Sequence, residues 1–592
     1  MNLGFAVKLP FGAELLDAGG TRFSLWAPAL QQAWLEVEGA AALPMRRDGA
    51  GLFQVTADCG AGSRYRFRVS DQLSVPDPAS RAQAGGVHGH SVVIDPRAYA
   101  WTHKGWNGRP WPGSVIYELH VGCYGGSFSE VARRLPYLRE LGVSAVELMP
   151  IADFSGSRNW GYDGVLPYAP TAAYGTPDEL KALIDTAHGL GLCIYLDVVY
   201  NHFGPDGNHL HSYAPQFFDE KRASPWGDSI DFKRPQVREF FIANALYWLM
   251  EYRFDGLRLD AVHAIGDNDF LDQLAARVRA TVEPGRQVHL ILENEHNDAA
   301  RLTRGYDAQW NDDGHNVLHV LLTGETESYY RNYGEAPAAK LARCLAEGFI
   351  YQGEASPSHD GKPRGTRSAH LAPASFVLFL QNHDQVGNRA LGERLGALTQ
   401  PPARRAAVAL LLLSPQIPLL FMGEEFDAEE PFLFFTDFHE ELADAVREGR
   451  RREFAAFTAF ASPQQRAAIP DPNAESTFRS SCVPEQAKPG AQSECLGYYR
   501  RLLQIRKEVI APALGNVSSL GAAAHGPAAV TAQWRLDGGA VLWIGINLGA
   551  GQVRTAIPVG RMLFESLDGA GAAAARGMLQ PHSCCAFLET RP

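Results

Sequence analysis

Eight short apolar runs, separated by helical stretches, dominate the middle of this 592-residue chain and limit what it can fold into. They are VIYELHV from Val115, AVELMPI from Ala145, LCIYLDVV from Leu192, FDGLRLDAV from Phe254, VHLILENE from Val288, YDAQWND from Tyr306, FVLFLQNHD from Phe376 and IPLLFMGEE from Ile417. A strand apolar on both faces has to be covered on both, which points to a parallel sheet wrapped by helices. EVARRLPYLRELG from Glu130 and DELKALIDTAHGLG from Asp178 have helical periodicity and end in Gly, the residue favoured just past a helix. Eight such strands predict an α/β fold, a (β/α)8 TIM barrel, over residues 105–512. The longest insertion is expected after the third strand, from Asn201 to Arg234, as a lobe over the barrel mouth.

The flanks have a different period. From Thr21 to Ile94 the runs TRFSLWAP, AWLEVE, GLFQVTA and SRYRFRVS alternate polar with apolar between Gly, Asp and Pro turns. They predict an N-terminal immunoglobulin-like β-sandwich within residues 1–104, joined to the barrel by WTHKGWNGRPWPGS. AQWRLDGGAVLWIGINL alternates again, and residues 513–592 are expected to form a C-terminal β-sandwich.

Composition excludes several function classes. With 46% apolar, 20% charged and 10% aromatic residues the chain is a folded globular protein. A net charge of −12 argues against a nucleic-acid surface, and the basic cluster Arg447, Arg450, Arg451 and Arg452 alternates with acids, as on a solvated helix face. Eight cysteines are too dilute for a disulfide scaffold, and neither Cys-x-x-Cys nor His-Glu-x-x-His occurs, so no metal or other cofactor is expected. MNLGFAVKLPFG lacks the apolar run of a signal peptide. The longest apolar stretch, AAVALLLLSPQIPLLFM from Ala406, is broken by Pro415, Gln416 and Pro418 and does not span a membrane. The expectation is a cytoplasmic protein, monomer or dimer, without a nucleic-acid or membrane partner.

In a TIM barrel, polar residues at the C-terminal ends of strands face the active-site mouth. Strands three, four, five and seven end DVVYNH, RLDAVH, LENE and QNHDQ, placing Asp197, Asp260, Glu293 and Asp384 there. Glycoside hydrolysis needs such carboxyl groups: one nucleophile and one protonated acid, about 5–5.5 Å apart in a retaining enzyme. Adjacent strands lie about 4.8 Å apart, so Asp260 and Glu293 are at a workable separation. Arg258, two residues before Asp260, points to the same side of its strand and pairs with that carboxylate. Glu293 has no basic neighbour in its run and follows Leu290, Ile291 and Leu292, which suits a general acid. His202 and His383 have no partner at ligand spacing and suit hydrogen bonds to sugar hydroxyls, as Asp384 suits a bidentate grip on two of them. In NWGYDG, after strand two, Trp160 and Tyr162 can present aromatic faces to a glucose ring. No Gly-x4-Gly-Lys-Ser/Thr loop and no Gly-x-Ser-x-Gly elbow is present.

DVVYNH, GLRLDAVH, LILENE and QNHD resemble the four catalytic regions of the α-amylase superfamily, family 13 of the glycoside hydrolases. The resemblance covers essentially the whole chain. The longer runs NWGYDGVLPYAPTAAYGTP, QWNDDGHNVLHVLLTGE, QNHDQVGNRALGERL and DPNAESTF are similar to its trehalohydrolase subgroup. That likeness implies Asp260 as nucleophile, Glu293 as acid/base and Asp384 as the third carboxylate on the −1 sugar. It implies Arg258, His202, His383, Trp160, Tyr162, Asp197 and His263 as substrate-binding residues, with Tyr162 the stacking platform, and an N-terminal sandwich of the carbohydrate-binding, E-set-like kind. The implied substrates are maltooligosyltrehalose and related α-glucans, cut at the α-1,4 bond next to the trehalose end, with no required calcium. Two departures mark the chain. HVGCYGGSFS is about two residues shorter than the subgroup's HVGTFTPEGTF, and Asp312-Asp313-Gly314-His315-Asn316 replaces Asp-Asp-Phe-His-His. The competing expectations are a glycogen branching or debranching enzyme and a non-catalytic glucan-binding protein.

Overall fold

The computed structural model describes residues 5–224 and 227–590; MNLG at the N-terminus, residues 225–226 of the Asn201–Arg234 insertion and the last two residues lie outside the described residues. Eight parallel strands close into a barrel: β1 (Ile116–Leu119), β2 (Ala145–Leu148), β3 (Cys193–Val198), β4 (Gly256–Leu259), β5 (His289–Leu292), β6 (Ala308–Trp310), β7 (Phe376–Phe379) and β8 (Ile417–Phe421). The ring closes through β1 and β8, with Ile116 opposite Leu419. Every residue of these strands is buried, which is why the sequence shows continuous apolar runs there.

Side-chain parity divides the barrel interior into layers. Lower down, Ile116, Ala145, Cys193, Tyr195, Ile291, Ala308 and Leu419 fill it, and Trp111 plugs the base while donating its indole N–H to the Ala374 carbonyl at 2.7 Å. Two residues further along the first four strands the same inward parity carries Glu118, Glu147, Asp197 and Arg258, and Glu118 lies opposite Glu147 in register, as Asp197 does opposite Arg258. An apolar floor therefore supports a charged layer just below the mouth.

The helices start and stop on local chemistry. Thr176 and Glu179 form a capping box ahead of Pro177–Gly189, and Gly142, at φ 108°, ends Phe128–Leu141 in the left-handed conformation that favours glycine. The longest apolar stretch is split between helix Pro401–Leu413 and β8, and buried Arg506 donates to the carbonyls of Leu412, Ser414 and Gln416 at the break. Among the described residues no helix is long and apolar enough to cross a membrane. All eight cysteines are free thiols.

Two antiparallel sheets pack face to face ahead of the barrel, with Phe23 against Tyr65 at 4.7 Å. This sandwich begins earlier than alternation showed, at Gly12–Leu15, which pairs with Thr21–Trp26. After the barrel, a five-stranded antiparallel sheet starts at Ser518–Ala524. Val530, Ala532 and Trp534 face the barrel core, while Ala529, Trp543 and Phe587 pack with the helix Ala570–Ala574 and Leu579 of a two-stranded ribbon. Trp534 donates to the Leu345 carbonyl at 3.3 Å, which ties this sheet to a barrel helix.

Two expectations need correction. The connection after β3 does carry a hairpin, Phe218–Ser224 with Gly227–Ile230, whose Arg222 donates to the Ile265 carbonyl at 2.9 Å. The connection from β6 to β7, residues 311–375, is longer than that from β3 to β4, residues 199–255. Arg450 is not on a solvated face either. It is buried, donates to the carbonyls of Gly387 and Arg389 at 2.7 and 3.0 Å, and packs on Phe434 and Phe454, whereas Arg447 and Arg451 pair with neighbouring acids. Periodicity showed a charged helix but not that one of its arginines braces the loop after β7.

Candidate active site

Arg258 organises the mouth. It is completely buried on β4, with its guanidinium 4.1 Å above the Trp310 ring. Nη1 donates to Asp197 at 2.6 Å and to Asp260 at 2.8 Å, and Nη2 donates to Glu293 at 2.9 Å. Sequence reasoning gave Arg258 to Asp260 alone and left Glu293 without a cation; in the folded barrel one guanidinium joins all three carboxyl groups. A buried cation of this kind is stable only with such partners.

The two central acids are held differently. Asp260 accepts from Arg258 through Oδ1 and from the Asn201 side chain through Oδ2 at 2.8 Å. Glu293 uses a single oxygen, Oε2, for both Arg258 and the Ala261 backbone N–H at 2.7 Å. Ala261 adopts φ 39°, a left-handed conformation costly for alanine, and backbone strain of this kind concentrates at functional sites. Burial pushes the Glu293 carboxyl well above its ordinary value; the Arg258 charge opposes this, and Asp260, Asp384 and Asp312 add to it. That environment favours the protonated form of Glu293, whereas Asp260 is held through both of its oxygens.

The other expected residues fall around this pair. Tyr162 is half-buried, donates its hydroxyl to Asp197 at 2.6 Å and stacks on His383 with ring centroids 5.0 Å apart. Burial raises Asp197 to about 6 despite Arg258. Asp384 retains 35% side-chain exposure, and its Oδ1 is 3.4 Å from His383 Nε2. Burial would raise Asp384, but the charge and hydrogen bond of His383, with Arg258 and the Asn388 amide, together hold the carboxyl below its ordinary value. His202 is buried, and its Nε2 meets the Tyr162 carbonyl oxygen at 2.9 Å, so it clamps the loop carrying that ring. His263 is half-buried beside exposed Glu295, 3.7 Å away. Trp160 is placed otherwise than expected: it is buried, donates to the Leu433 carbonyl at 2.9 Å and stacks on Phe432. It supports His383 edge-on, leaving Tyr162 as the partly exposed ring.

Sequence reasoning missed Asn201 and, as a site residue in its own right, Asp312 at the mouth, and it missed the buried acids Glu118 and Glu147 in the layer beneath. Burial brings Asp312, partly exposed after β6, up to about 7, with Arg364 opposing and Asp384 reinforcing. The available signal was a lone acid in an otherwise apolar strand, as in VIYELHV and AVELMPI. Gly314 faces the core, where a Cβ would lie 2.5 Å from Leu378 Cδ1, so that departure is one of packing rather than of the mouth. Among the described residues no cluster of His, Cys, Asp or Glu could hold a metal ion.

Asp313, in the same run, works inward. It accepts from Asn297 at 2.9 Å, Tyr333 at 2.5 Å, and the backbone N–H groups of Ile350 and Tyr351 at 2.7 and 3.1 Å, and pairs with Arg364 at 3.1 Å. Asp313→Ala takes the carboxylate away from that buried arginine and leaves the Ile350 and Tyr351 amides without their acceptor, an expected cost of about 3–5 kcal/mol. A lower unfolding midpoint and faster protease cleavage within residues 327–366 are expected; an unchanged midpoint would remove this structural role.

Comparison with known proteins agrees with this geometry. Residues 94–226 match the family described as alpha amylase, catalytic domain, and residues 518–585 match a domain of unknown function, DUF3459. A malto-oligosyltrehalose trehalohydrolase from Deinococcus radiodurans is 41% identical over 85% of this chain and 82% of its own length. One from Saccharolobus solfataricus is 40% identical over 84% and 87%. The crystal structure of an alpha-amylase candidate from Salmonella typhimurium superposes with a TM-score of 0.92 at 43% identity, covering 99% of this chain and all of that one.

Proposed function

The chain belongs to the malto-oligosyltrehalose trehalohydrolases, glycosidases of the α-amylase family, and we propose that it releases trehalose from maltooligosyltrehalose with Asp260 as nucleophile and Glu293 as acid/base. The observation that carries the assignment is the Arg258 guanidinium, which touches both acids at once. That bridge supports the close pair double displacement needs, about 5–5.5 Å, rather than the roughly 6.5–9.5 Å that admits a water between acid and base.

In this reading the −1 glucose rests on Tyr162, with two hydroxyls on Asp384 and the trehalose unit on the leaving side. Glu293 Oε1 gives its proton to the glycosidic oxygen as Asp260 attacks the anomeric carbon, and trehalose departs. Deprotonated Glu293 then takes a proton from water, which cleaves the glycosyl–Asp260 ester and restores both acids. Arg258 and Asn201 orient the nucleophile throughout. The proposal includes action in the cytoplasm on soluble α-glucans and a division at residues 1–104, 105–512 and 513–592, supported by the linker before β1 and the change to antiparallel strands from Ser518.

Double displacement keeps configuration, so the new reducing end first appears as the α-anomer. Proton NMR of product within the first minutes, before mutarotation, reads this directly. Initial β-anomer would sink the mechanism.

A further inference from the structure

Behind the sugar-facing surface lies a carboxylate the reaction itself does not call for. Glu118, at the end of β1, is 1% exposed. It accepts twice from His383: the backbone N–H donates to Oε2 at 3.0 Å, and Nδ1–H donates to Oε1 at 2.5 Å. The other ring nitrogen, Nε2, is 3.4 Å from Asp384 Oδ1. Tyr162 stacks on one side of the imidazole and Trp160 meets it edge-on at 5.6 Å, so the ring has little room to turn.

We propose that Glu118 is a positioning residue for hydrolysis: by fixing His383 through Nδ1 it presents Nε2–H to Asp384 and keeps that carboxylate aimed at the sugar. This rests on the reading of Asp384 as the group that grips the −1 glucose. A hydrogen bond to one ring nitrogen decides what the other offers, and a charged acceptor favours the doubly protonated ring.

The surrounding charges agree. His383 faces Glu118 from β1, Glu147 from β2, His120 from the turn after β1, Tyr162 from the loop after β2 and Asp384 on its own turn. Burial works against a charged ring, yet Asp384 and Glu118 outweigh it and hold His383 well above the ordinary imidazole range. Burial pushes His120 down to about 4; it is neutral, donating from Nε2 to the Asn159 carbonyl at 2.9 Å. Glu147, opposite Glu118 in register, is 1% exposed, and neither of its oxygens has a hydrogen-bond partner. Burial, reinforced by Glu118 and Asp197, drives its carboxyl well upward. Two buried acids side by side do not both ionise. Glu118 is the one that bonds His383, and Glu147, with neither oxygen bonded, favours its protonated form.

The test is kcat/KM for maltooligosyltrehalose against pH in Glu118→Gln, Glu147→Gln, His383→Gln and the Glu118→Gln/His383→Gln double variant. Glutamine at 118 keeps an acceptor but removes the charge. The expected result is a loss within about threefold at pH 5.5 and of at least about tenfold at pH 8, so that the alkaline limb moves to lower pH. Glu147→Gln keeps the wild-type profile, because an amide replaces a neutral acid. In the double variant Glu118→Gln adds no further loss, since the group it acts through is gone. A loss equal at every pH, additive losses, or a Glu147→Gln profile shifted like that of Glu118→Gln would each overturn the proposal. Imidazole nitrogen shifts of the histidine-labelled wild type, assigned with His383→Gln, decide the question should Glu118→Gln not fold. A doubly protonated His383 at pH 7 supports the proposal and a neutral ring overturns it. A wild type inactive on every α-glucan would defeat the functional reading while leaving this nitrogen readout to judge Glu118.

Discussion

Asp260→Asn and Glu293→Gln each lower turnover of maltooligosyltrehalose by about 10^4-fold, roughly 5.4 kcal/mol in the barrier. Both replacements conserve shape: Glu293→Gln keeps the one acceptor that Arg258 and the Ala261 N–H share, and Asp260→Asn keeps the acceptor toward Arg258 but gives up the one toward Asn201, so the unfolding midpoint falls only modestly. The two losses differ in kind. Without Asp260 no glycosyl-enzyme forms, whatever the leaving group. Without the Glu293 proton, only leaving groups that need protonation suffer, so a 4-nitrophenyl maltooligoside recovers much of its glycosylation rate in Glu293→Gln and none in Asp260→Asn. The sign of the pH dependence follows from the same residue. Burial holds the Glu293 carboxyl protonated well above the ordinary range, so its contribution is complete at low pH and is lost as pH rises through that raised value. Substantial turnover by both purified variants would remove these residues from the roles proposed.

What made this site legible was position along strands. An acid ending a doubly apolar run in a parallel barrel has one place to go, and Asp197, Asp260, Glu293 and Asp384 all went there. Arg258 was legible by parity, two residues before Asp260, but parity says only that it points inward. That one guanidinium would also reach Asp197 and Glu293 depends on the stagger between β3, β4 and β5, which no single strand encodes. Glu118 and Glu147 were readable as acids inside strands, yet whether such an acid faces a helix layer or the barrel axis follows only once the ring has closed. Trp160 and Tyr162, two residues apart in one loop, were indistinguishable in sequence. The structure separates them because Phe432 and Phe434, far along the chain, close over one and not the other. Long-range packing of that kind leaves no local periodicity to read.

Selectivity for the trehalose end is the second large effect expected. A trehalose terminus has no reducing end, and its 1,1-linkage sets the +2 glucose at a different angle from that in maltose. A plain maltooligosaccharide fills the minus subsites equally well, so discrimination has to arise on the leaving-group side. The polar loops after β4, β5 and β6, His263–Asp269, Glu295–Asp298 and Asp312–Glu325, were the sequence candidates, and the fold narrows them. Asp313 is committed to packing, and Glu325 is bonded by Arg389 at 2.8 and 3.0 Å and by His319 at 2.8 Å. Beside the exposed Asn268 and Asp269, what stays available nearer Glu293 is Asp312 and a patch in which Glu295, 52% exposed, lies 3.7 Å from both His263 and His359, with His296 alongside. Groups placed to bond trehalose hydroxyls go unpaired against a linear chain, and unpaired polar groups discriminate strongly. The expected kcat/KM for maltooligosyltrehalose therefore exceeds that for the matching maltooligosaccharide by at least about 100-fold, roughly 2.7 kcal/mol. Glu295→Ala and His359→Ala should narrow that ratio while changing activity on the plain chain much less, because neither residue belongs to the proposed −1 subsite. Equal kcat/KM on the two substrates in the wild type would reject trehalose selectivity and leave a general α-glucan hydrolase.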